Sequence, residues 1–263
     1  MKTEADAWNS SDPYEYFMGR WSKLMAPVFL KWLNLPGNLS WLDIGCGTGA
    51  LSEAIMNTYE PGQLSGMDSS SGFLEKAKQR LPGTTAFIIG SASEIPEEKE
   101  KFHVVVSGLA LNFFPDINAA LLEMQRVLKA NCTIAAYVWD YAGKMDMLRF
   151  FWDAATEVDV DANRQDEGVR FPICDRVKLK DAFEQAGFAG IEMTSLDVNT
   201  VFKNFDDYWQ PFLGGQGPAG SYIVSLNKKK RGEIKNKLLK RLPMEPDGSI
   251  RLVARAIAVR GTK

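Results

Sequence analysis

A chain of 263 residues, 45% of them hydrophobic, is long enough to bury a complete α/β sheet in one domain. Its 31 Lys and Arg stand against 33 Asp and Glu, a formal net charge of −2, so there is no overall positive field to gather nucleic acid or an anionic membrane. Cys46, Cys132 and Cys174 lie far apart and form no CxxC pair, which excludes a readable disulfide framework or zinc ribbon and suits a reducing cytoplasm.

Met1 to Pro13 is polar and acidic, without the basic and apolar regions of an export signal, and no later apolar run approaches about 18 residues. The expectation is a cytoplasmic protein that does not enter a membrane. Tyr14 to Leu35 places Phe17, Trp21, Leu24, Met25, Val28, Phe29 and Trp32 at helical spacing, kinked at Pro27 and ended by Pro36-Gly37. Short apolar runs follow at Leu39 to Ile44, Leu64 to Met67, Ala86 to Ile89, Phe102 to Val106 and Thr133 to Val138. Helical stretches separate them at Ala50 to Thr58, Gly72 to Leu81 and Ile117 to Lys129, an alternation that predicts βαβ units on a parallel sheet with helices on both faces. Beyond Trp139, Met145 to Val158 reads as a helix, Asp159 to Arg170 as a polar loop, and Val177 to Ala186 as a helix closed by Gly187. Ile191 to Val198 and Ile250 to Val259 alternate as strands around an aromatic and basic helical insert, and their separation allows an antiparallel closing pair.

The most informative stretch is Trp41-Leu-Asp-Ile-Gly-Cys-Gly-Thr-Gly-Ala50, a buried strand running into three alternating glycines and then a helix. Gly45, Gly47 and Gly49 accept positive φ and let a ligand come close. Such a loop alone also fits a dinucleotide fingerprint. Asp43, two positions before the first glycine, argues against a diphosphate, because a carboxylate there repels phosphate and suits an ammonium or sulfonium. Asp68 ends the second strand, where a carboxylate accepts hydrogen bonds from a ribose diol.

With these residues the chain resembles the class I S-adenosylmethionine-dependent methyltransferases, in particular the small-molecule group whose first motif reads LDIGCGTG. The resemblance covers Leu39 to about Trp139. It implies a Rossmann-like, seven-stranded, mostly parallel sheet with an antiparallel last strand and S-adenosylmethionine as cofactor. It also implies one domain: an N-terminal helical lid over residues 1–38, a cofactor-binding core over 39–140, and substrate-side insertions with the closing strands over 141–263. Carried over residue by residue, it places the methionine moiety at Asp43, Gly45, Gly47 and Gly49, the ribose at Asp68, and the adenine beside Phe73, Ser91 and Ala92, with Ser69 also among the cofactor-binding residues. Ser107 and Gly108 end the fourth strand beside the cofactor. Two positions depart from the pattern. Ser91 stands where an acid often follows the third strand, and His103 where an acid often opens the fourth.

His103, the only histidine, has no GxSxG elbow to serve and reads as structural. Asp159-Val-Asp161-Ala-Asn163 mimics the start of a calcium loop, but Arg164 takes the glycine position and Arg170 the place of a bidentate Glu, so no metal site is expected. Lys228-Lys-Lys-Arg231 reads as a solvated helix face, and Asn112-Phe-Phe-Pro115 has its proline misplaced for a base-flipping motif. Arg20 has two readings, a clamp on the methionine carboxylate or an exposed neighbour of a packing stripe, and Trp21 reads as packing. Phe205 to Phe212 and Gly214 to Gly220 form either a second wall with a mobile lid or the insert's own core.

Methyl transfer from a sulfonium is an in-line displacement that needs neither metal nor covalent nucleophile. If a hydroxyl or protonated amine receives the methyl group, Tyr14, Tyr16 and Asn112 are the candidates to take its proton. The partner expected is a small-molecule acceptor, not a nucleic acid; oligomeric state is left open. The rivals are a non-catalytic S-adenosylmethionine-binding or regulatory protein and an NAD-dependent oxidoreductase, which Asp43 disfavours.

Overall fold

The computed structural model describes residues 15–263, apart from residues 82 and 84. Seven strands form one sheet in the order β3-β2-β1-β4-β5-β7-β6. They are β1 (Ser40–Ile44), β2 (Gln63–Asp68), β3 (Ala86–Ile89), β4 (Phe102–Gly108), β5 (Leu128–Trp139), β6 (Ala189–Phe202) and β7 (Ile250–Thr262). β1 is parallel to β2 and β4, and β5 is parallel to β4. The last strand, β7, is antiparallel to β5, from Thr133 opposite Thr262 to Trp139 opposite Ala256. From β1 the chain winds outward to β3 and then returns to β4 on the other side. The carboxyl ends of β1 and β4 thus flank the point where strand order reverses, which is where open α/β sheets bind ligands.

The chain forms two compact units. The first holds residues 22–139, 173–196 and 256–263. Its strands are apolar on both faces, as parallel strands covered by helices must be: Trp41, Leu42, Ile44, Val104, Val105 and Val106 are all buried. α1 (Arg20–Leu33) runs through Pro27 and buries Met25, Phe29 and Leu33, while the residues just before it form a π-turn at Glu15–Gly19. α2 (Ala50–Tyr59) buries Leu51 and Ile55, and α3 (Ser71–Arg80) buries Leu74 and Ala77. α4 (Ile117–Val127) is started by Asp116, whose carboxylate accepts from the Ala119 N–H at 2.9 Å, and buries Ala120, Leu121, Met124 and Val127 at helical spacing. β5 follows α4 without a loop, so it begins five residues before the apolar run that announces it. α5 (Arg176–Gln185) ends at Gly187 with φ 87°, the left-handed stop that the glycine predicts.

His103 lies at the opening of β4, with its Nδ1 2.7 Å from the Ser40 hydroxyl and its Nε2 3.1 Å from the Lys129 ammonium. The Ser40 N–H also donates to Nδ1 at 3.2 Å, so both ring nitrogens are held by neighbours at the opening of the strand and the histidine is structural.

Of the described residues, the second unit holds 15–21, 140–172 and 197–255. Its helices are α6 (Asp146–Val158), α7 (Phe205–Leu213), α8 (Gly217–Ser225) and α9 (Lys228–Arg241). Its core is aromatic: Phe151 stacks on Phe212 at 4.5 Å, Phe17 meets Phe212 edge-on at 5.3 Å, and the buried Tyr208 hydroxyl donates to the Met147 carbonyl at 2.8 Å. Residues 159–170, expected as a loop, contain a 3-10 helix at Val160–Arg164 and one helical turn at Glu167–Arg170. Asp159 caps the first and accepts from Lys230 at 2.8 Å, so the basic run on α9 meets an acid of its own unit. Glu167 is fully buried between the Trp152 indole and the Ala219 N–H (3.2 Å). It caps α8, which has no side-chain cap of its own. Burial pushes the Glu167 carboxyl up to about 7. Among the described residues no helix is long and apolar enough to cross a membrane, and no cluster of His, Cys, Asp and Glu could hold a metal ion.

Candidate functional site

The glycine loop joins β1 to α2, and its three glycines have different tasks. All have positive φ, at 69° for Gly45, 54° for Gly47 and 84° for Gly49. A Cβ on Gly45 would stand 2.5 Å from the Ala110 Cβ and 3.3 Å from the Phe114 ring, and one on Gly49 would stand 3.2 Å from the Ala77 Cβ. These two are glycines because the protein packs against them. Around Gly47 nothing lies within 4 Å of the same position. The middle of the loop therefore exposes backbone to open space, which is what close approach by a ligand requires.

Asp68, at the end of β2, faces this loop. Its Oδ2 accepts from the Gly47 N–H at 2.9 Å and its Oδ1 from the Ser70 N–H at 2.8 Å, which also fixes the start of α3. Burial raises the Asp68 pKa, opposed by those N–H groups. Each carboxylate oxygen has a second lone pair, so both can still receive a hydroxyl of a diol.

Asp43 is buried completely. Its Oδ2 accepts from the Ser52 hydroxyl at 2.7 Å, while Oδ1 has no partner. Burial pushes its carboxyl up to about 7; the Asp68 charge adds to that and Ser52 opposes it. Near neutral pH this acid is thus poised between neutral and charged, and a cation close to it would draw it into the charged form. The sequence carries no direct sign of this burial, but Ser52, a polar residue on the stripe of Leu51 and Ile55, is the residue through which it could have been suspected.

Ser69 is exposed, and Phe73, at the third position of α3, is half-buried, with its N–H bonded to the Ser70 hydroxyl at 3.4 Å. Ser91 is exposed just beyond β3 and pairs with Glu94, and Ala92 is half-buried. Gly90 before them donates its N–H to the Asp68 carbonyl at 3.1 Å, which ties this turn to the end of β2. At the end of β4, Ser107 is fully buried with its Oγ unpartnered. Gly108 is required by Tyr137, whose hydroxyl would lie 2.7 Å from an added Cβ. Leu109 then takes φ 59° and donates its N–H to the Tyr137 carbonyl at 2.8 Å, turning the chain off the sheet into the 3-10 turn Leu111–Phe113. Asn112 in that turn is 8% exposed, and neither Nδ2 nor Oδ1 has a partner. Leaving such groups buried and unpaired costs about 1–3 kcal/mol each. The loop, Asp43, Asp68, Ser107, Gly108 and Asn112 thus gather at the carboxyl ends of β1, β2 and β4 within one unit.

Arg20 and Tyr16 belong to the other unit. The Arg20 guanidinium pairs with the Asp207 carboxylate at 2.9 Å and lies 4.2 Å over the Trp21 ring and 4.7 Å over the Phe202 ring. Its fork is already engaged by a carboxylate of the protein. Tyr16 is about half exposed, and Tyr14 lies outside the described residues. Trp21 is buried against Phe202 at 5.1 Å, and Tyr208, Trp209 and Phe212 are buried in the core of their own unit.

Residues 42–136 match the family described as methyltransferase domain. The demethylmenaquinone methyltransferase of Staphylococcus aureus (strain MRSA252) is 36% identical over 106 residues, 38% of this chain and 43% of that one. Its namesake in Staphylococcus saprophyticus subsp. saprophyticus is 28% identical over 183 residues, 63% of this chain and 77% of that one. This chain therefore aligns with less than half the length of the first relative and about three quarters of the second. In fold it is similar to Haemonchus contortus phosphoethanolamine N-methyltransferase 2, solved with phosphomonomethylethanolamine and S-adenosylhomocysteine, with a TM-score of 0.60 at 14% identity over 96% of this chain and 56% of that one.

Proposed function

We propose that this chain, whose residues 42–136 match the methyltransferase domain family, is a class I S-adenosylmethionine-dependent methyltransferase that binds S-adenosylmethionine at the carboxyl ends of β1, β2 and β4 and methylates a small-molecule acceptor. The observation that carries the proposal is the pairing of Gly47, open on its ligand side, with Asp68, whose two oxygens each keep a lone pair for a ribose hydroxyl.

The residues fit that cofactor. Asp68 holds the loop in place through Gly47 before any ligand arrives, so its carboxylate is already oriented toward a diol. Asp43 has an unpartnered buried oxygen and a pKa of about 7, which suits a neighbouring ammonium better than a diphosphate. Ser91 leaves adenine recognition to backbone groups and to the side of Phe73. When bound, the cofactor supplies a sulfonium methyl group that moves in one in-line displacement, the carbon–sulfur bond breaking as the bond to the acceptor forms. The chain's own contribution is to bind and orient, and no described residue is needed as a nucleophile.

The two staphylococcal relatives are named for demethylmenaquinone, so its reduced form is the first acceptor to test. Incubation with S-adenosylmethionine and demethylmenaquinol, and in parallel with a small-molecule cell extract, should release S-adenosylhomocysteine in step with a methylated product. A chain that binds the cofactor yet releases none with either is a binding protein.

A further inference from the structure

The polar atoms of Asn112 are the most conspicuous unmet hydrogen-bonding groups outside the glycine loop. Among the described residues it is the only buried side chain with two separate polar atoms left unpartnered, and it lies just past the end of β4. Ala110 and Phe114 turn one flank of this segment against Gly45, standing 2.5 and 3.3 Å from where its Cβ would be. Asn112 itself lies between them in the 3-10 turn Leu111–Phe113, buried at the same end of the sheet as the glycine loop. A carboxamide neither gains nor loses a proton near neutral pH, so Asn112 does not serve as the base that its position suggests in the sequence. What it offers is one accepting oxygen and one donating NH2.

Resting on the methyltransferase reading, we propose that Asn112 positions the methyl acceptor, and that the acceptor class it selects carries a hydroxyl or phenol close to the methylated atom. Such a group accepts from Nδ2 and donates to Oδ1, meeting both unpaired atoms at once. A carboxylate or phosphate would meet only the donor, and an ammonium only the acceptor. The unpartnered hydroxyl of Ser107 at the end of the same strand adds another neutral polar atom and no charge.

The test compares the wild type with Asn112→Leu, which keeps the volume and removes the hydrogen bonds, and with Asn112→Gln, which keeps the amide. S-adenosylhomocysteine and 5′-methylthioadenosine report on the cofactor pocket; demethylmenaquinol and phosphoethanolamine are the acceptors. Asn112→Leu is expected to bind both nucleosides within about twofold of wild type and to raise KM for demethylmenaquinol by about tenfold or more, with a smaller change in kcat and partial recovery in Asn112→Gln. Weakened S-adenosylhomocysteine binding would assign the amide to the cofactor, and an unchanged KM would make it structural; either overturns the proposal. Should Asn112→Leu fail to fold, Asn112→Gln decides, since an unaltered KM with the longer amide contradicts close positioning. A wild type that methylates phosphoethanolamine, or neither acceptor, overturns the acceptor class. A wild type that binds no S-adenosylhomocysteine instead removes the methyltransferase reading itself.

Discussion

Replacing Asp43 by asparagine removes a charge and leaves the shape almost unchanged, so its effect on stability isolates what burying that carboxylate costs. The native pKa of about 7 against the usual 3.8 is a shift of roughly three units, or ~4 kcal/mol at about 1.4 kcal/mol per unit. The folded state binds this proton more tightly than the unfolded state, so the Asp43 contribution to wild-type stability is greatest below about pH 4 and is lost as pH rises toward about 7. In the variant the carboxamide oxygen still accepts from Ser52, but the new NH2 is left buried, at a cost of about 1–3 kcal/mol. The Asp43→Asn variant is therefore expected to be less stable than wild type by about 1–3 kcal/mol at low pH and more stable by about 1–3 kcal/mol above neutrality. Urea unfolding from about pH 4 to about pH 8.5 reads the crossing directly. Parallel stability curves for the two proteins across that range would refute the argument.

The same acid links ligand binding to protons. If an ammonium of the cofactor draws Asp43 into its charged form, S-adenosylhomocysteine should bind more tightly at about pH 8 than at about pH 6 and release a proton, seen by calorimetry in buffers of different ionisation enthalpy and lost in Asp43→Asn. Gly45→Ala should destabilise the fold by about 3 kcal/mol, because the methyl group meets Ala110 and φ is positive, whereas Gly47→Ala should cost about 1 kcal/mol and lower S-adenosylhomocysteine affinity at least about tenfold. Thermal unfolding and titration of the two variants separate these roles. Glu167→Ala, which strands the Trp152 indole and uncaps α8, should lose about 2–3 kcal/mol by urea unfolding, while Glu167→Gln, which keeps an acceptor for Ala219, should lose less.

The parts of the fold that are legible in the sequence are those where a short-range pattern has one physical solution. Strand, three glycines, helix and a distant acid have few arrangements, and the stop at Gly187 needs nothing but a left-handed residue. β5 is longer than its apolar run because Lys129, Ala130 and Asn131 carry no apolar alternation; the extension follows from Leu128 pairing with Phe102 of β4 and from the Asn131 N–H donating to the Lys263 carbonyl. The 3-10 helix at Val160–Arg164 is too short to impose a period. In the site, residue identity and position are readable, but environment is not. Nothing in Leu42-Asp43-Ile44 says that Ser52 reaches the carboxyl, or that one oxygen stays unpaired. Arg20 likewise cannot be assigned without Asp207, which is 187 residues away.

Calorimetric titration with S-adenosylhomocysteine, repeated with NADH and on Asp68→Ala, tests the cofactor site most directly. One saturable S-adenosylhomocysteine site per chain, no heat from NADH, and at least about a hundredfold loss in Asp68→Ala are the results expected from a carboxylate that meets the ribose diol. Binding of NADH in its place, or an affinity for S-adenosylhomocysteine untouched by the loss of Asp68, would contradict it.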